Sequence, residues 1–399
     1  MTPPLEGLRL LDLSTVVAGP FATELLGHLG MDVIRIQPPP AEAPWPAKQH
    51  GAPVTEPEGF TWALARNKRS LCLDLKSQAG RDVFLDLVER SDIVYENFRP
   101  GVMARLRLDH ATLAAVNPRI VSVAISGFGS TGPWAEVGAY DVAVQALGGS
   151  MSITGTGEPD SIPCRWGVPV GDIAGSLYAA IGLMAALEER ETTGRGQAVE
   201  VALLDAQLAL NTYRVPQAFG AGVQFGTPSP RRGGAGAVPY GPFRCGDGAW
   251  LVIGVASNFW PAFKAELDLP DDARFATLAL RQANQAALDT ILEQRFLARS
   301  AAVWEAALIA RGVPAGRVND IAEAFAQPQA VARDMLARFE EAGGREVFAA
   351  GNPIRFAGEP PLPQRPPVPK GADTDAVLTE LLGYDAARIA ALRDAGAVA

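Results

Sequence analysis

The turn Gly167-Val168-Pro169-Val170-Gly171-Asp172 runs straight into a long apolar stretch beginning Ile173-Ala174-Gly175-Ser176, which places a carboxylate at the start of a helix. The unpaired amides of a helix N-terminus carry partial positive charge and favour an ionised acid. Asp172 is therefore suited to nucleophilic attack rather than to accepting a proton near neutral pH. The plain alternative is an N-cap, for which Asp is among the preferred residues. Histidine offers little competition. The chain has only His28, His50 and His110, none at ligand spacing from a Cys or another His, which disfavours a metal site and a Ser-His-Asp hydrolase. Catalytic suspicion falls on carboxylates.

The elements that must position such a group follow from hydropathy. Short apolar, branched runs at Leu8 to Leu13, Val33 to Ile36, Leu71 to Leu75, Ile93 to Tyr95, Ile120 to Ile125 and Val199 to Leu203 alternate with helical patterns. Their near-continuous hydrophobicity predicts strands covered on both faces, hence a parallel sheet flanked by helices. Three segments, Ser14 to Val17, Lys76 and Asn97 to Arg99, fall just beyond such runs. In open α/β sheets ligands collect at the carboxyl ends of strands. Gly127-Phe128-Gly129-Ser130-Thr131-Gly132 fits a dinucleotide fingerprint only in spelling, because Pro133-Trp134 interrupts the helix that should receive the pyrophosphate.

Gly and Pro cluster from Gly220 to Pro242 and again, as prolines, from Pro360 to Pro369, and such clusters mark changes of regime. The expected division is a large domain from residues 1–220, a linker and smaller domain over 221–330, and a C-terminal part over 331–399. Single helices are expected over Gln282 to Leu297 and near Thr374 to Ala391. The 399 residues, 48% hydrophobic and 20% charged, describe a globular protein of more than one core. A net charge of −9 argues against a nucleic-acid partner. Cys72, Cys164 and Cys245 read as free thiols of a reducing, cytoplasmic setting. The longest apolar stretch, Ile173 to Leu187, is short for a membrane span, and no secretory signal opens the chain.

Several blocks carry a resemblance. Leu11-Asp12-Leu13-Ser14 with Ala18-Gly19-Pro20, Arg66-Asn67-Lys68-Arg69-Ser70 with Leu73-Asp74-Leu75-Lys76, Glu96-Asn97-Phe98-Arg99-Pro100-Gly101, Gly167 through Glu189, and Thr193-Gly194-Arg195-Gly196-Gln197 stand in one order. Pro239-Tyr240-Gly241 and Gly312-Val313-Pro314-Ala315-Gly316 extend it toward the C-terminus. In this the chain resembles the family III coenzyme A transferases, a group that includes formyl-CoA transferase and alpha-methylacyl-CoA racemase.

The resemblance implies a Rossmann-like large domain built from both chain ends, a smaller middle α+β domain, and an interlocked homodimer. It implies no tightly bound cofactor, with a coenzyme A thioester and a carboxylic acid, possibly a short dicarboxylate, as substrates. Asp172 matches the nucleophile, which forms acyl-aspartyl anhydride and aspartyl-CoA intermediates, with oxyanions held by amides of the Asp172 turn and of a glycine loop at Gly233, Gly234 and Gly236. Val16, Val17, Leu73, Lys76, Asn97, Phe98, Arg99, Arg105, Tyr140 and Asp141 match coenzyme A contacts, with Lys76, Arg99 and Arg105 as a basic rim for its phosphates. Tyr140 discriminates within the group, since racemases carry a His there as acid/base. Racemisation of a 2-methylacyl-CoA and noncatalytic CoA binding are the alternatives to transfer.

Overall fold

The computed structural model describes residues 2–39, 62–155, 162–220, 236–340, 346–357, 362 and 364–399. Two compact units divide the chain. One comprises Met1–Met151, Arg165–Val223 and Asp334–Ala399, the other Ser152–Cys164 and Gln224–Arg333.

The first unit is built on six parallel strands: β1 (Arg9–Asp12), β2 (Asp32–Gln37), β3 (Lys68–Cys72), β4 (Ile93–Glu96), β5 (Val121–Ser126) and β6 (Ala198–Ala202). They lie in the order β3-β2-β1-β4-β5-β6. The order reverses between β1 and β4, a switch point at whose carboxyl strand ends open α/β sheets form their ligand crevice. Alternation across the pleat sends Leu11, Val94 and Ile34 into one core and Leu10, Tyr95 and Val123 into the other. Both faces of the central strands are therefore apolar, the condition for a covered parallel sheet.

Strand β3 starts three residues earlier than its apolar pattern predicts. Lys68 is buried there because the Asp12 carboxylate neutralises it, so a strand position reads as polar in sequence. Leu73 lies just past the strand, joined by an isolated bridge to Val398.

The helix Val170–Thr193 is 24 residues long and apolar enough to span a membrane by length and composition. It packs instead against β5, β6 and the helix Ala18–His28, with Ala179 and Leu183 in the core shared with the sheet. Gly175 and Gly182 permit the approach, since a Cβ on either would fall within 2.5 Å of Leu203 or 2.9 Å of Val199. Its C-cap is Gly194 at φ +70, a left-handed position that glycine accepts without strain. The last predicted helix is two, Thr374–Leu382 and Ala386–Asp394, parted by Gly383 at φ +68 and by Asp385, whose side chain caps the second.

The second unit carries an antiparallel sheet, β7 (Tyr240–Arg244), β8 (Trp250–Gly254) and β9 (Ala315–Arg317). Its core joins Phe243, Leu251, Phe263, Phe296 and Trp304. The helix expected over Gln282 to Leu297 is divided at Asn284 into Leu278–Ala283 and Gln285–Phe296.

Candidate active site

At the carboxyl end of β1 the chain turns through Ser14 to Val17 into the Ala18–His28 helix, and beside it β4 ends at Glu96. The Asn97 amide stitches the two together. Thr15 N donates to Asn97 Oδ1 at 2.8 Å, and Asn97 Nδ2 donates to the Thr15 carbonyl at 2.7 Å. Both polar ends of Asn97 are thus engaged in shaping the loop. Val16 follows at φ +67 and is 49% exposed. A β-branched residue in the left-handed region is strained, at a cost of about 1–3 kcal/mol, so this loop is held by its surroundings. Gly19 completes the turn, since a Cβ there would fall 2.1 Å from Ser14 Cβ.

Beneath the loop Asp12 is 0% exposed. Its Oδ1 accepts from Ser14 N at 2.9 Å and from Ser14 Oγ, and its Oδ2 accepts from Thr23 Oγ1 at 2.6 Å and Lys68 Nζ at 2.9 Å. Burial alone would raise its pKa, but the Lys68 charge and these hydrogen bonds together hold it below the ordinary carboxylate value.

Asp172 has a different environment. Pro169 is the N-cap and supplies no side-chain cap, so Asp172 is the third helical residue, and its side chain makes no capping bond among the described residues. The amides it was expected to exploit are taken. Gly171 N and Asp172 N donate to Asp141 Oδ1 at 2.8 and 3.3 Å, Val170 N donates to the Val168 carbonyl at 2.8 Å, and Ile173 N to the Pro169 carbonyl at 3.0 Å. The turn therefore offers no spare amide among these four for an oxyanion. Gln145 Nε2 donates to Asp141 Oδ2 at 2.6 Å, while Gln145 Oε1 accepts from Trp166 N at 2.9 Å. Ser176 Oγ lies within hydrogen-bonding reach of the Ala18 carbonyl and, at 2.7 Å, of the Asp172 carbonyl, linking this helix to the strained loop.

The expectation of a helix-stabilised, fully ionised Asp172 is therefore corrected. Burial first, and the Asp141 carboxylate second, push its pKa up to about 7. The helix terminus already has an anion in Asp141, and that anion repels a second charge.

The other predicted residues scatter in role. Tyr140, 78% exposed, caps the helix Asp141–Leu147 without a side-chain bond. Arg99 is exposed and lies against Gly138, where a Cβ would meet its guanidinium at 2.6 Å. Val17 is buried at the start of the Ala18–His28 helix. Phe98 packs on the core. Leu73, 1% exposed, is core as well. Lys76 and Arg105 are exposed, and no hydrogen bond or ion pair joins them to the Asp172 group among the described residues. Gly236 belongs to the second unit, whereas Gly233 and Gly234 lie outside the described residues.

Gln145, Ser176, Thr23 and the Asp12–Lys68 pair were not singled out from sequence. A signal existed for two of them. Asp141 to Gln145 and Asp172 to Ser176 are both four apart, the spacing of neighbours on one helix face.

Comparison with known proteins bears on this arrangement. The sequence profile of CoA-transferase family III matches residues 5–374. The acetyl-CoA:oxalate CoA-transferase of Acetobacter aceti is 35% identical over 94% of this chain and 95% of its own length. The succinyl-CoA:glutarate CoA-transferase of Homo sapiens is 32% identical over 99% and 90%. Among solved structures, a CAIB/BAIF family protein from Brucella suis superposes with a TM-score of 0.82 at 32% identity, covering 96% of this chain and all of that one.

Proposed function

The chain belongs to CoA-transferase family III, and on that premise we propose that it moves coenzyme A from an acyl-CoA to a short carboxylic acid through covalent intermediates on Asp172. Relatives are named for oxalate and glutarate as acids and for acetyl-CoA and succinyl-CoA as donors, which makes a small mono- or dicarboxylate pair the first choice. The observation that supports Asp172 is its side chain: half-buried, in the first helical turn, and, among the described residues, without a hydrogen-bond donor or cation of its own. A carboxylate so placed is poorly stabilised in its ionised form and correspondingly nucleophilic.

In this reading an Asp172 carboxylate oxygen attacks the thioester carbonyl, the C–S bond breaks, and CoA thiolate leaves an acyl-aspartyl anhydride. The thiolate adds to the aspartyl carbonyl and expels the donor acid, giving aspartyl-CoA. The acceptor carboxylate attacks that carbonyl and releases thiolate. Thiolate then attacks the acceptor side of the new anhydride, forming product thioester and regenerating Asp172. Val16, Asn97 and Arg99 frame the crevice at the β1 and β4 ends, and the exposed cations Arg99, Arg105 and Lys76 suit the ligand's phosphates. Tyr140, in place of the racemases' His, favours transfer over proton abstraction alpha to the thioester.

The test is direct. Asp172→Ala and Asp172→Asn lose exchange to below about a hundredth of the wild-type rate while still binding CoA esters. Hydroxylamine added during turnover inactivates the enzyme, and peptide mapping places the modification on Asp172. A label elsewhere, or alpha-deuterium exchange without thioester exchange, overturns the assignment.

A further inference from the structure

Asp141 and Gln145 of one helix and the first turn of another form a closed hydrogen-bond unit whose polarity is dictated from outside. Gln145 is 0% exposed, and a buried amide must satisfy both its ends. The Trp166 backbone N–H can only donate, so it fixes Oε1 on its side, and Nε2 is left facing Asp141. Asp141, an acceptor, takes that donor on Oδ2, which presents Oδ1 to the amides of Gly171 and Asp172. Gly171 admits this approach, because a Cβ there would stand 3.0 Å from Asp141 Oδ1 and 3.2 Å from Val144. An acid in the first turn of a helix is otherwise drawn to the free amides and partial positive charge of that terminus.

We infer that Asp141, oriented by Gln145, is a positioning residue of the transfer reaction: it occupies the helix amides that Asp172 would otherwise cap and so leaves the Asp172 carboxyl free to react. Asp141 then acts through Asp172 and need not touch coenzyme A. The inference rests on Asp172 being the nucleophile.

The unit makes a reciprocal swap possible. Asp141→Asn alone sets an amide N–H against the Gln145 N–H, and Gln145→Glu alone sets two carboxylates face to face. Together they restore every bond with the donor reversed. The amide introduced at position 141 accepts from the helix amides through its oxygen and donates through its nitrogen to the carboxylate introduced at position 145, which also accepts from Trp166 N. Each single variant lowers kcat about ten- to hundredfold, the scale of a small misplacement at a reacting group, with KM for the acyl-CoA little changed. The double variant recovers most of the loss, a coupling expected only of groups in one network.

Gln145→Leu keeps the volume and removes both bonds. It serves where a charged variant does not fold, with the same fall in kcat at constant KM expected. Wild-type kcat in any single variant, a rise in KM that accounts for the loss, or a double variant no better than its weaker parent overturns the inference. Hydroxylamine mapping separates the layers. If the label lands on Asp172 and the Asp141 and Gln145 variants behave as wild type, only the positioning role fails; if wild-type Asp172 takes no label, the reading beneath it fails.

Discussion

Two aspartates near the same strand ends have been given opposite fates. Asp12, fully buried, is surrounded by a lysine and two hydroxyls and is held below the ordinary carboxylate pKa. Asp172, only half-buried, has no cation among the described residues, sits beside another carboxylate, and is lifted to about 7. Depth alone would predict the reverse. What decides is compensation: a desolvated charge that gains a cation and donors becomes part of the framework, whereas one left uncompensated stays high in energy and available for chemistry. The shared loop joins the two, since Ser14 bonds Asp12 while Ala18 meets Ser176 of the Asp172 helix.

The contrast can be broken first at its structural pole. Lys68→Met strips the buried Asp12 of its cation and should cost about 3–5 kcal/mol, as removal of one partner from a buried pair does. Urea unfolding measures it. The sign with pH follows from Asp12: its depressed pKa contributes stability above the unfolded value of 3.8, lost as pH falls through the folded one. The gap between wild type and Lys68→Met should therefore be wide at pH 7 and shrink toward pH 3. An equal gap at both would mean that Asp12 is not the charge Lys68 serves.

The reactive pole predicts the opposite slope. The Asp172 pKa is raised from 3.8 to about 7, so the folded state binds the proton more tightly and wild type loses stability as pH rises between those values. Asp172→Asn carries no such charge. It should be more stable than wild type by about 1–2 kcal/mol at pH 8, a value discounted for the carboxyl's partial exposure, and nearly equal to it at pH 4. Thermal melts at the two pH values check this, and a variant less stable at pH 8 would show that Asp172 is satisfied after all.

The smallest effects belong to groups outside both poles. Lys76→Ala and Arg105→Ala remove exposed cations, each worth less than about 1 kcal/mol. Each should raise KM for CoA esters a few fold at low salt, less at high salt, and leave kcat alone. Unchanged KM in both would misplace the nucleotide.

Much of the scaffold could be read in the chain. Branched apolar runs located the strands. Where reading failed, a polar side chain was buried with its partner: β3 was set late because Lys68 looks exposed until Asp12 is placed beside it. Leu73 matches a coenzyme A contact in type and order and is buried in the core, and such a match carries no information about the direction of a side chain.

For the site, the sequence by itself determined that a carboxylate follows a Gly-Pro turn at the head of a long apolar helix, and that candidate ligand segments follow strands. Only the tertiary structure decided that a second carboxylate stands against Asp172 and raises its pKa. Asp141 and Asp172 lie 31 residues apart in the chain and yet share one helix terminus. Desolvation and Coulomb energy depend on distance through space and on what fills it, and neither is written in the order of residues.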